Sequence, residues 1–257
     1  MSDSEDQRLP PAGFRQRGPK PTGTRLLLIR HGESYANADG LAGGPIGDGG
    51  LTPLGKRQAQ ALVDRLTLSA ELSTATAFYT SALPRAIETG EVLRAALPKD
   101  LEPIVDASLN EISVGDGDGL PWAEYVERYG APNWDLEPGA LTAPGGESLL
   151  GFYERCRAAI ERLVARHPEE LVVVVCHGGF IEQAMKIYQG VEPEVRLRPR
   201  IENCSMTEIE FREAWRRLLR YNDRAPLPAE WRCKNSATWK AMSRLWVALR
   251  RGSQIEV

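Results

Sequence analysis

The sequence predicts an α/β sandwich, because strand-length apolar runs alternate with helical patterns along most of the chain. Two runs, RLLLIR (25–30) and LVVVVC (171–176), are apolar nearly throughout, as strands buried on both faces of a parallel sheet are. Each is followed by a histidine and a glycine. Both histidines therefore lie at the carboxyl end of a predicted strand.

The first half of the chain continues with a glycine-rich loop, a helix, a strand and a second helix. The loop is GLAGGPIGDGG (40–50). The next segment, LTPLGKRQAQALVDRL, predicts a helix with Thr52 as its N-cap and Pro53 in its first turn. TAFYTS (76–81) predicts the second strand, and ALPRAIETGEVLRAAL (82–97) predicts the second helix.

The second half is predicted to hold a long helix, a strand, a further helix and a closing strand pair. The stretch from about 98 to 145, rich in proline and glycine, is predicted to be rich in loops. SLLGFYERCRAAIERLVARH (148–167) carries an apolar stripe and is followed by Pro168, which ends helices. After the LVVVVC strand, a loop opens a helix, and MTEIEF (206–211) and WRRLLRY (215–221) predict an antiparallel pair.

Three parts of the chain are distinguished by composition. Residues 1–24 are polar and rich in proline, which predicts a disordered tail. Residues 25–224 form the predicted domain. Residues 225–257 form an extension with a predicted amphipathic helix. This helix has three candidate roles: docking on its own domain, forming a partner or dimer face, or lying on a membrane surface.

Bulk composition favours a cytoplasmic enzyme over a nucleic-acid or membrane protein. The chain has 257 residues, 42% of them hydrophobic and 26% charged, with net charge -3 and pI about 5.8. That charge gives no basis for nucleic-acid binding. No apolar run approaches the roughly 20 residues of a membrane span, and the N-terminus lacks the apolar segment of a signal peptide.

Cysteine and histidine usage predicts neither a metal site nor another cofactor. The four cysteines are widely spaced, with no C-x-x-C pair, and are expected to be reduced and mostly buried. The chain has three histidines, too few and too scattered for a zinc cluster. His167 lies before Pro168 and is interpreted as a charge complement to a helix C-terminus.

His31 and His177, the two strand-end histidines, lie where open α/β sheets bind their ligands. They also belong to a series of motifs in a fixed order. The series is RHGES (30–34), LTPLGKRQA (51–59), SALPRAIET (81–89), LNEISVGDGDG (109–119), GGES (145–148), CHGG (176–179) and RYND (220–223). On these motifs the chain, over about residues 25–224, resembles the histidine phosphatase superfamily. The resemblance implies the phosphoglycerate mutase-like fold, a three-layer α/β/α sandwich around a mostly parallel mixed sheet.

The resemblance implies a phosphoryl-transfer site whose residue types suit that chemistry. A phosphoester needs an in-line nucleophile and positive charge around its equatorial oxygens. His31 is expected to be the nucleophile and to form a phosphohistidine, which requires a neutral imidazole. Arg30 and Arg85 suit bidentate phosphate contacts. His177 is expected to donate a hydrogen bond to the phosphoryl oxygens, with Gly178 beside it in the phosphate site.

The acidic residues of the motifs divide into a proton donor and supporting groups. Glu111 lies at the family's general-acid position and would protonate the leaving oxygen, then activate the attacking water. Asp118 is a rival for this role, because the chain departs from the family pattern at GDGDG. Glu33 and Glu147 are interpreted as structural or orienting residues, since carboxylates facing a phosphate would repel it.

Around the phosphate site, Ser34 and Asn37 are expected by resemblance to donate hydrogen bonds to the phosphoryl group. The 40–50 loop lacks the G-K-[ST] ending of a phosphate-binding P-loop and is expected to border the pocket. The 112–145 stretch would frame the other side. Its aromatic residues either stack on the substrate or pack this cap against the domain; they are Trp122, Tyr125, Tyr129 and Trp134.

The predicted function is that of a metal-independent phosphatase acting on a small phosphomonoester, such as a sugar phosphate or another phosphorylated metabolite. The alternative is a phosphoglycerate mutase-type phosphotransferase. By resemblance, such mutases carry a long insertion with an arginine pair after the catalytic glutamate, whereas the segment from Glu111 to Glu147 is short. A non-catalytic phosphate-binding module is the third alternative, although no motif residue of the site is missing. A homodimer is a possible assembly.

Overall fold

The computed structural model describes residues 22–195 and 197–224. Almost all of the predicted N-terminal tail and the whole predicted C-terminal extension lie outside these residues, so both stay predictions. Thr24, placed in the tail by the sequence, is the first residue of a strand.

The described part of the chain forms one mixed sheet of six strands. In chain order they are β1 (Thr24–Arg30), β2 (Ala75–Thr80), β3 (Ile104–Val105), β4 (Leu171–Cys176), β5 (Met206–Phe211) and β6 (Arg216–Asp223). Across the sheet the order is β3-β2-β4-β1-β5-β6. The first four strands are parallel, and β5 and β6 are antiparallel to their neighbours. The prediction of a mostly parallel mixed sheet is confirmed.

Helices cover this sheet. They are α1 (Tyr35–Asp39), α2 (Pro53–Ser69), α3 (Pro84–Leu93), α4 (Trp122–Tyr129), α5 (Leu149–Arg166) and α6 (Gly178–Gln189). None of the helices in the described ranges has the length and apolar character needed to cross a bilayer.

Each face of the sheet carries its own hydrophobic core. Successive side chains of a strand point to opposite faces. Leu26 and Leu28 of β1 pack in the cluster that includes α5 and α6, whereas Leu27 and Ile29 pack in the cluster that includes α2 and α3. A strand covered on both faces needs apolar residues at every position, which explains the continuous runs in β1 and β4. The predicted three-layer α/β/α architecture is confirmed.

Local sequence signals set most helix ends. The Thr52 side chain accepts a hydrogen bond from the Gly55 N–H at 3.0 Å, which confirms it as the N-cap of α2. Ser148 caps α5 in the same way. The second predicted helix is shorter than expected: α3 ends at Leu93 and continues only as a 3₁₀ turn, Arg94–Ala96.

The stretch 98–145 is rich in loops, as predicted, but it also contains α4, which was not predicted. Tyr125 of α4 is buried with Val114 and other apolar side chains of the cap. The rings of Trp122 and Tyr129 contact Tyr125 edge to face, with centroids 4.9 and 5.5 Å away. These three aromatic residues therefore pack the cap. The helix has eight residues and lies among prolines and glycines, which hides its pattern in the sequence.

The cysteines of the described part are Cys156, Cys176 and Cys204, and all three are buried and free of disulfides. Burial raises the pKa of Cys204 to about 12, so this thiol stays protonated at neutral pH. The expectation of reduced, buried thiols is met at these three positions. Cys233 lies outside the described residues.

Close packing of glycines fixes the loop after β1. A Cβ atom on Gly32 would lie 2.6 Å from the Gly55 carbonyl oxygen in the first turn of α2. The Gly32 N–H donates to the Thr89 hydroxyl of α3 at 3.1 Å. The loop is thus wedged between two helices, and no side chain fits at position 32.

Gly32→Ala is expected to lower the free energy of unfolding by about 1–3 kcal/mol, because the added methyl group meets backbone that cannot move aside. Urea denaturation measures the change. Gly139→Ala is the matched control, since the nearest atom to its Cβ would be a Leu150 side-chain carbon at 3.9 Å. The control should stay within about 0.5 kcal/mol of the parent. Equal effects of the two substitutions would contradict this account of the loop.

Candidate active site

Three neighbouring parallel strands, β2, β4 and β1, end level with one another at one edge of the sheet. The residues that follow them are Ser81, His177 and His31. The ring centroids of the two histidines lie 5.1 Å apart. The sheet register alone therefore brings together two motifs that are far apart in sequence.

His31 is held as a neutral imidazole with one free nitrogen. Its Nδ1 lies 2.6 Å from the Gly32 carbonyl oxygen, which can only accept, so Nδ1 carries the proton. Nε2 therefore keeps its lone pair, which accepts a hydrogen bond from Arg85 Nε at 3.2 Å. Burial, together with the charges of Arg85 and Arg30, holds the pKa of His31 well below 6.5.

Arg85 reaches His31 because the glycine-rich loop orients its guanidinium group. Nη1 of Arg85 forms a buried ion pair with Asp48 at 2.8 Å, and Nη2 donates to the Gly43 carbonyl at 3.1 Å. Burial lowers the pKa of Arg85, and the Asp48 carboxylate opposes that shift. The glycine-rich loop thus borders the site and fixes the orientation of the Arg85 guanidinium group.

Arg30 presents an unused donor to the same space. Its Nη1 donates to the Ile201 carbonyl at 2.6 Å, whereas its buried Nε has no hydrogen-bond partner within the described ranges. A Cβ atom on Gly178 would come within 3.6 Å of that Nε. Gly178 therefore lies beside the guanidinium group at ordinary contact distance, and a bound anion would satisfy the orphan donor.

His177 is completely buried and is the N-cap residue of α6. Its Nε2 lies 2.6 Å from the Ser81 hydroxyl, and its Nδ1 has no partner in the part of the chain that the structure describes. Burial lowers the pKa of His177 well below 6.5, with further contributions from Arg85 and His31. The start of α6 adds the partial positive charge of a helix N-terminus to this group.

Glu111 lies against the start of α6. One carboxylate oxygen accepts the Gly179 N–H at 2.9 Å, and the other accepts the Ile112 N–H at 3.1 Å. A Cβ atom on Gly179 would come 2.1 Å from the Glu111 carboxylate, so this approach depends on glycine. Gly178 thus lies beside Arg30, and Gly179 leaves room for the Glu111 carboxylate.

An ion pair supports the segment that carries Glu111. Both oxygens of Glu147 accept from Arg155 at 2.7 Å, and one also accepts the Ser113 N–H at 2.8 Å. Arg155 donates in turn to the carbonyls of Ser108, Asn110 and Glu111. Although burial opposes it, these contacts hold the pKa of Glu147 below its usual range. Glu147 therefore orients Arg155.

Asp118, the alternative candidate for the proton donor, accepts hydrogen bonds from backbone N–H groups. Its two oxygens accept from the N–H groups of Gly44, Ile46 and Gly47 at 2.7, 2.7 and 2.9 Å. The carboxylate thereby holds the glycine-rich loop in place. Because these backbone N–H groups already donate to Asp118, they do not bind a phosphate. This geometry gives Asp118 a structural role.

Ser34 and Asn37 form a reciprocal capping box at the start of α1. The Ser34 hydroxyl accepts the Asn37 N–H at 3.2 Å, and the Asn37 side-chain oxygen accepts the Ser34 N–H at 3.4 Å. Asn203 donates to the same oxygen and, at 3.0 Å, to the His31 carbonyl. Glu33 also acts structurally, because it accepts a hydrogen bond from the Thr52 hydroxyl.

Several residues of the site had not been recognised from the sequence: Asp48, Ser81, Asn110, Arg155 and Asn203. A signal was available for Ser81, which follows β2 just as the two histidines follow β1 and β4. Asn110 is adjacent to Glu111. Among the described residues no cluster of three or more His, Cys, Asp or Glu side chains could hold a metal ion.

A buried imidazole that accepts from an arginine and lies beside a second buried imidazole, at the carboxyl edge of a parallel sheet in this fold, is the arrangement of a phosphoric monoester hydrolase of the histidine phosphatase type. Residues 26–224 match the model of the histidine phosphatase superfamily, branch 1. The chain belongs to that family, as the motif resemblance had indicated.

Relatives and solved structures agree with this assignment. Phosphoglycerate mutase-like protein 4 of Arabidopsis thaliana is 33% identical over 70% of this chain and 76% of its own. A 2-carboxy-D-arabinitol-1-phosphatase of Triticum aestivum is 31% identical over 73% of this chain but only 37% of its own. The structure of a mycobacterial glucosyl-3-phosphoglycerate phosphatase aligns with TM-score 0.63 and 27% identity, covering 77% of this chain and 98% of the other.

The depressed pKa values predict an acid-sensitive fold. As the pH falls through 6.5, His31 and His177 take up protons in the unfolded chain but not in the empty folded site. The free energy of unfolding should therefore fall with decreasing pH, by up to about 1.4 kcal/mol per pH unit for each histidine, until the folded histidines protonate. Urea denaturation at a series of pH values measures this slope.

In a His31→Asn variant the free energy of unfolding should depend less steeply on pH, because one of the two contributing histidines is gone. A His167→Asn control should keep the contributions of both His31 and His177. If the slope were unchanged after substitution of His31 and His177 together, the pH dependence would have another origin.

Proposed function

We propose that the protein is a metal-independent phosphatase that hydrolyses a small phosphomonoester through a phosphohistidine on Nε2 of His31. The observation that carries the proposal is the proton position on His31. The Gly32 carbonyl holds the proton on Nδ1, and the lone pair of Nε2 lies in a buried space lined by arginine donors. A neutral, oriented imidazole nitrogen is the nucleophile that this reaction requires.

The surrounding cations suit a phosphoryl group that is attacked at His31. Arg85 donates to Nε2 of His31, Nε of Arg30 lies beside Gly178, and His177 and Gly178 lie at the start of α6. In the proposal these groups bind the equatorial oxygens, where charge accumulates in the transition state. Ser34 and Asn37 supply further donors from the α1 side.

Glu111 is the proposed proton donor. In the first step His31 Nε2 bonds to phosphorus, the ester P–O bond breaks, and the leaving oxygen takes the Glu111 proton. In the second step Glu111 accepts a proton from water, whose oxygen attacks phosphorus while the P–N bond breaks. The place of Glu111 supports this role, because it binds the Gly179 N–H, two residues from His177, and its charge acts on Arg85. Asp118 is instead held on the glycine-rich loop by three backbone donors.

The cap supports hydrolysis over mutase transfer. Between Glu111 and Glu147 the sequence has a single basic residue, Arg128, and this side chain pairs with Glu124 on the exposed face of α4. A mutase must grip a second acidic group of its substrate, and this segment offers no free cation for it. We therefore propose a substrate with a neutral or polar leaving group, such as a sugar phosphate or another phosphorylated metabolite.

The names of the relatives refer to small phosphorylated molecules, which supports a small phosphomonoester as the substrate. These molecules also carry a carboxylate, so the choice of a neutral or polar leaving group rests on the cap alone. Besides those above, the relatives include a metal-independent phosphoserine phosphatase of Arabidopsis thaliana, 33% identical over 62% of this chain. Turnover of phosphoglycerates with 2,3-bisphosphoglycerate, without phosphate release, would instead establish the mutase alternative. A cytoplasmic location, a homodimer and the absence of nucleic-acid or membrane partners remain predictions.

His31→Ala should reduce single-turnover phosphate release by at least about a thousand-fold, because the covalent route is lost. The measurement uses a panel of phosphorylated metabolites with EDTA present, which should leave parent turnover unchanged. His167→Ala, the third histidine, is the control and should stay active. Undiminished turnover by His31→Ala, or loss of parent activity with EDTA, would refute the mechanism.

Glu111→Gln should slow release of a poor alkyl leaving group by about a hundred-fold or more, because its oxygen needs a proton. Release of p-nitrophenolate in a single turnover should be affected much less, since this group leaves without protonation. Asp118→Asn should lower stability through its loop contacts and, because that loop positions Arg85, should slow release of both leaving groups by the same factor. The reverse pattern would assign the proton donor to Asp118.

A further inference from the structure

A chain of hydrogen bonds behind His177 determines where its protons lie. The Ala82 backbone N–H donates to the side-chain oxygen of Asn110 at 2.9 Å, which fixes the orientation of that amide. The Ser81 hydroxyl oxygen lies 2.9 Å from the same Asn110 oxygen. Because an amide oxygen can only accept, the single hydroxyl proton of Ser81 must point toward Asn110.

Ser81 can then only accept from its other neighbours. Its oxygen accepts the Leu83 N–H at 3.2 Å and lies 2.6 Å from Nε2 of His177. Nε2 of His177 must therefore carry a proton. The opposite arrangement, with the Ser81 proton turned toward His177, would leave two acceptors 2.9 Å apart with no proton between them.

The other nitrogen of His177 consequently has only a lone pair while the ring is neutral. This Nδ1 is buried and has no hydrogen-bond partner among residues 22–195 and 197–224. The charged and titratable groups acting on the ring are Arg85, His31, Arg30 and Arg155, and Glu111 lies at the start of the same helix. These surroundings suit an anion, yet phosphoryl oxygens and a bare Nδ1 are both acceptors and repel one another.

We infer that an oxyanion enters this site together with one proton, which binds Nδ1 of His177, and that Ser81 and Asn110 are the positioning residues that impose this coupling. The inference rests on the proposed function only in taking this pocket as the phosphoryl site. The proton comes from solvent, and no covalent bond changes. In the empty site, burial and Arg85 hold the pKa of His177 well below 6.5, and a dianion offsets both effects.

Sulfate is the probe, because it remains a dianion at neutral pH, whereas phosphate esters titrate near pH 6. Calorimetry of the full-length His31→Asn variant, in which Nε2 of His31 cannot also take up a proton, should show uptake of about one proton per sulfate near pH 7.5 in buffers of different ionisation enthalpy. The Kd should rise about tenfold per pH unit above neutrality. Nitrogen-15 NMR of the imidazoles should show Nδ1 of His177 unprotonated in the empty protein and protonated with sulfate, with the signals assigned by His177→Asn.

In the same His31→Asn background, Ser81→Ala removes the acceptor for Nε2, so a neutral His177 can move its one proton to Nδ1 and donate without uptake. Proton uptake should then fall well below one per sulfate, and the pH dependence of the Kd should flatten. Ser81→Thr keeps the hydroxyl and should restore both. Ser69→Ala, at the end of α2, is the control. A merely structural role for Ser81 would change affinity without changing the proton count.

Sulfate binding without proton uptake would overturn the inference, as would a protonated Nδ1 in the empty protein. So would full uptake by a folded Ser81→Ala variant. If that variant does not fold, the NMR result on the parent and on Ser81→Thr still decides. Turnover by His31→Ala would refute the proposed catalysis and leave this inference standing. A failure of sulfate to bind at all would contradict the assignment of this pocket as the phosphoryl site.

Discussion

Burial of the Arg85 guanidinium group and of the Arg30 Nε beside two imidazoles is the constraint on which the rest of the site depends. Charge taken out of water is unfavourable unless it is paired, and here pairing is only partial. Asp48 neutralises Arg85, while Arg30 Nε and His177 Nδ1 have no partner in the described ranges. The same deficit that keeps both histidines neutral in the empty protein gives an incoming oxyanion its driving force.

The sheet makes this arrangement possible. Because β2, β4 and β1 are parallel and end level with each other, three side chains meet without any long loop. The glycines at positions 32, 178 and 179 allow helices and side chains to approach the strand ends closely. The phosphoryl side of the pocket is thus built from the most buried part of the fold, whereas the cap over it is built from loops and α4.

Sequence reasoning identified what depends on local pattern or on motif order. The buried runs of β1 and β4, the cap at Thr52 and the two strand-end histidines all carry such signals. Ser81, Asp48 and Asn110 were missed because their roles arise only from neighbours that are remote in sequence. The helix α4 was missed although its apolar residues follow helical spacing, because the segment has only eight residues and lies among prolines and glycines.

The Glu147–Arg155 pair has a consequence for how this fold diversifies. Glu147 binds the Ser113 N–H through its side chain, and its own N–H donates to the Ser113 carbonyl at 3.0 Å, so the two ends of the cap are fastened to each other. The entropy of closing a loop grows only slowly with its length. Residues between these ends, apart from Asp118, which holds the glycine-rich loop, can therefore be lengthened, shortened or replaced without displacing Glu111. The cap is a replaceable module, and new leaving-group preferences can arise there while the chemistry at the strand ends stays intact.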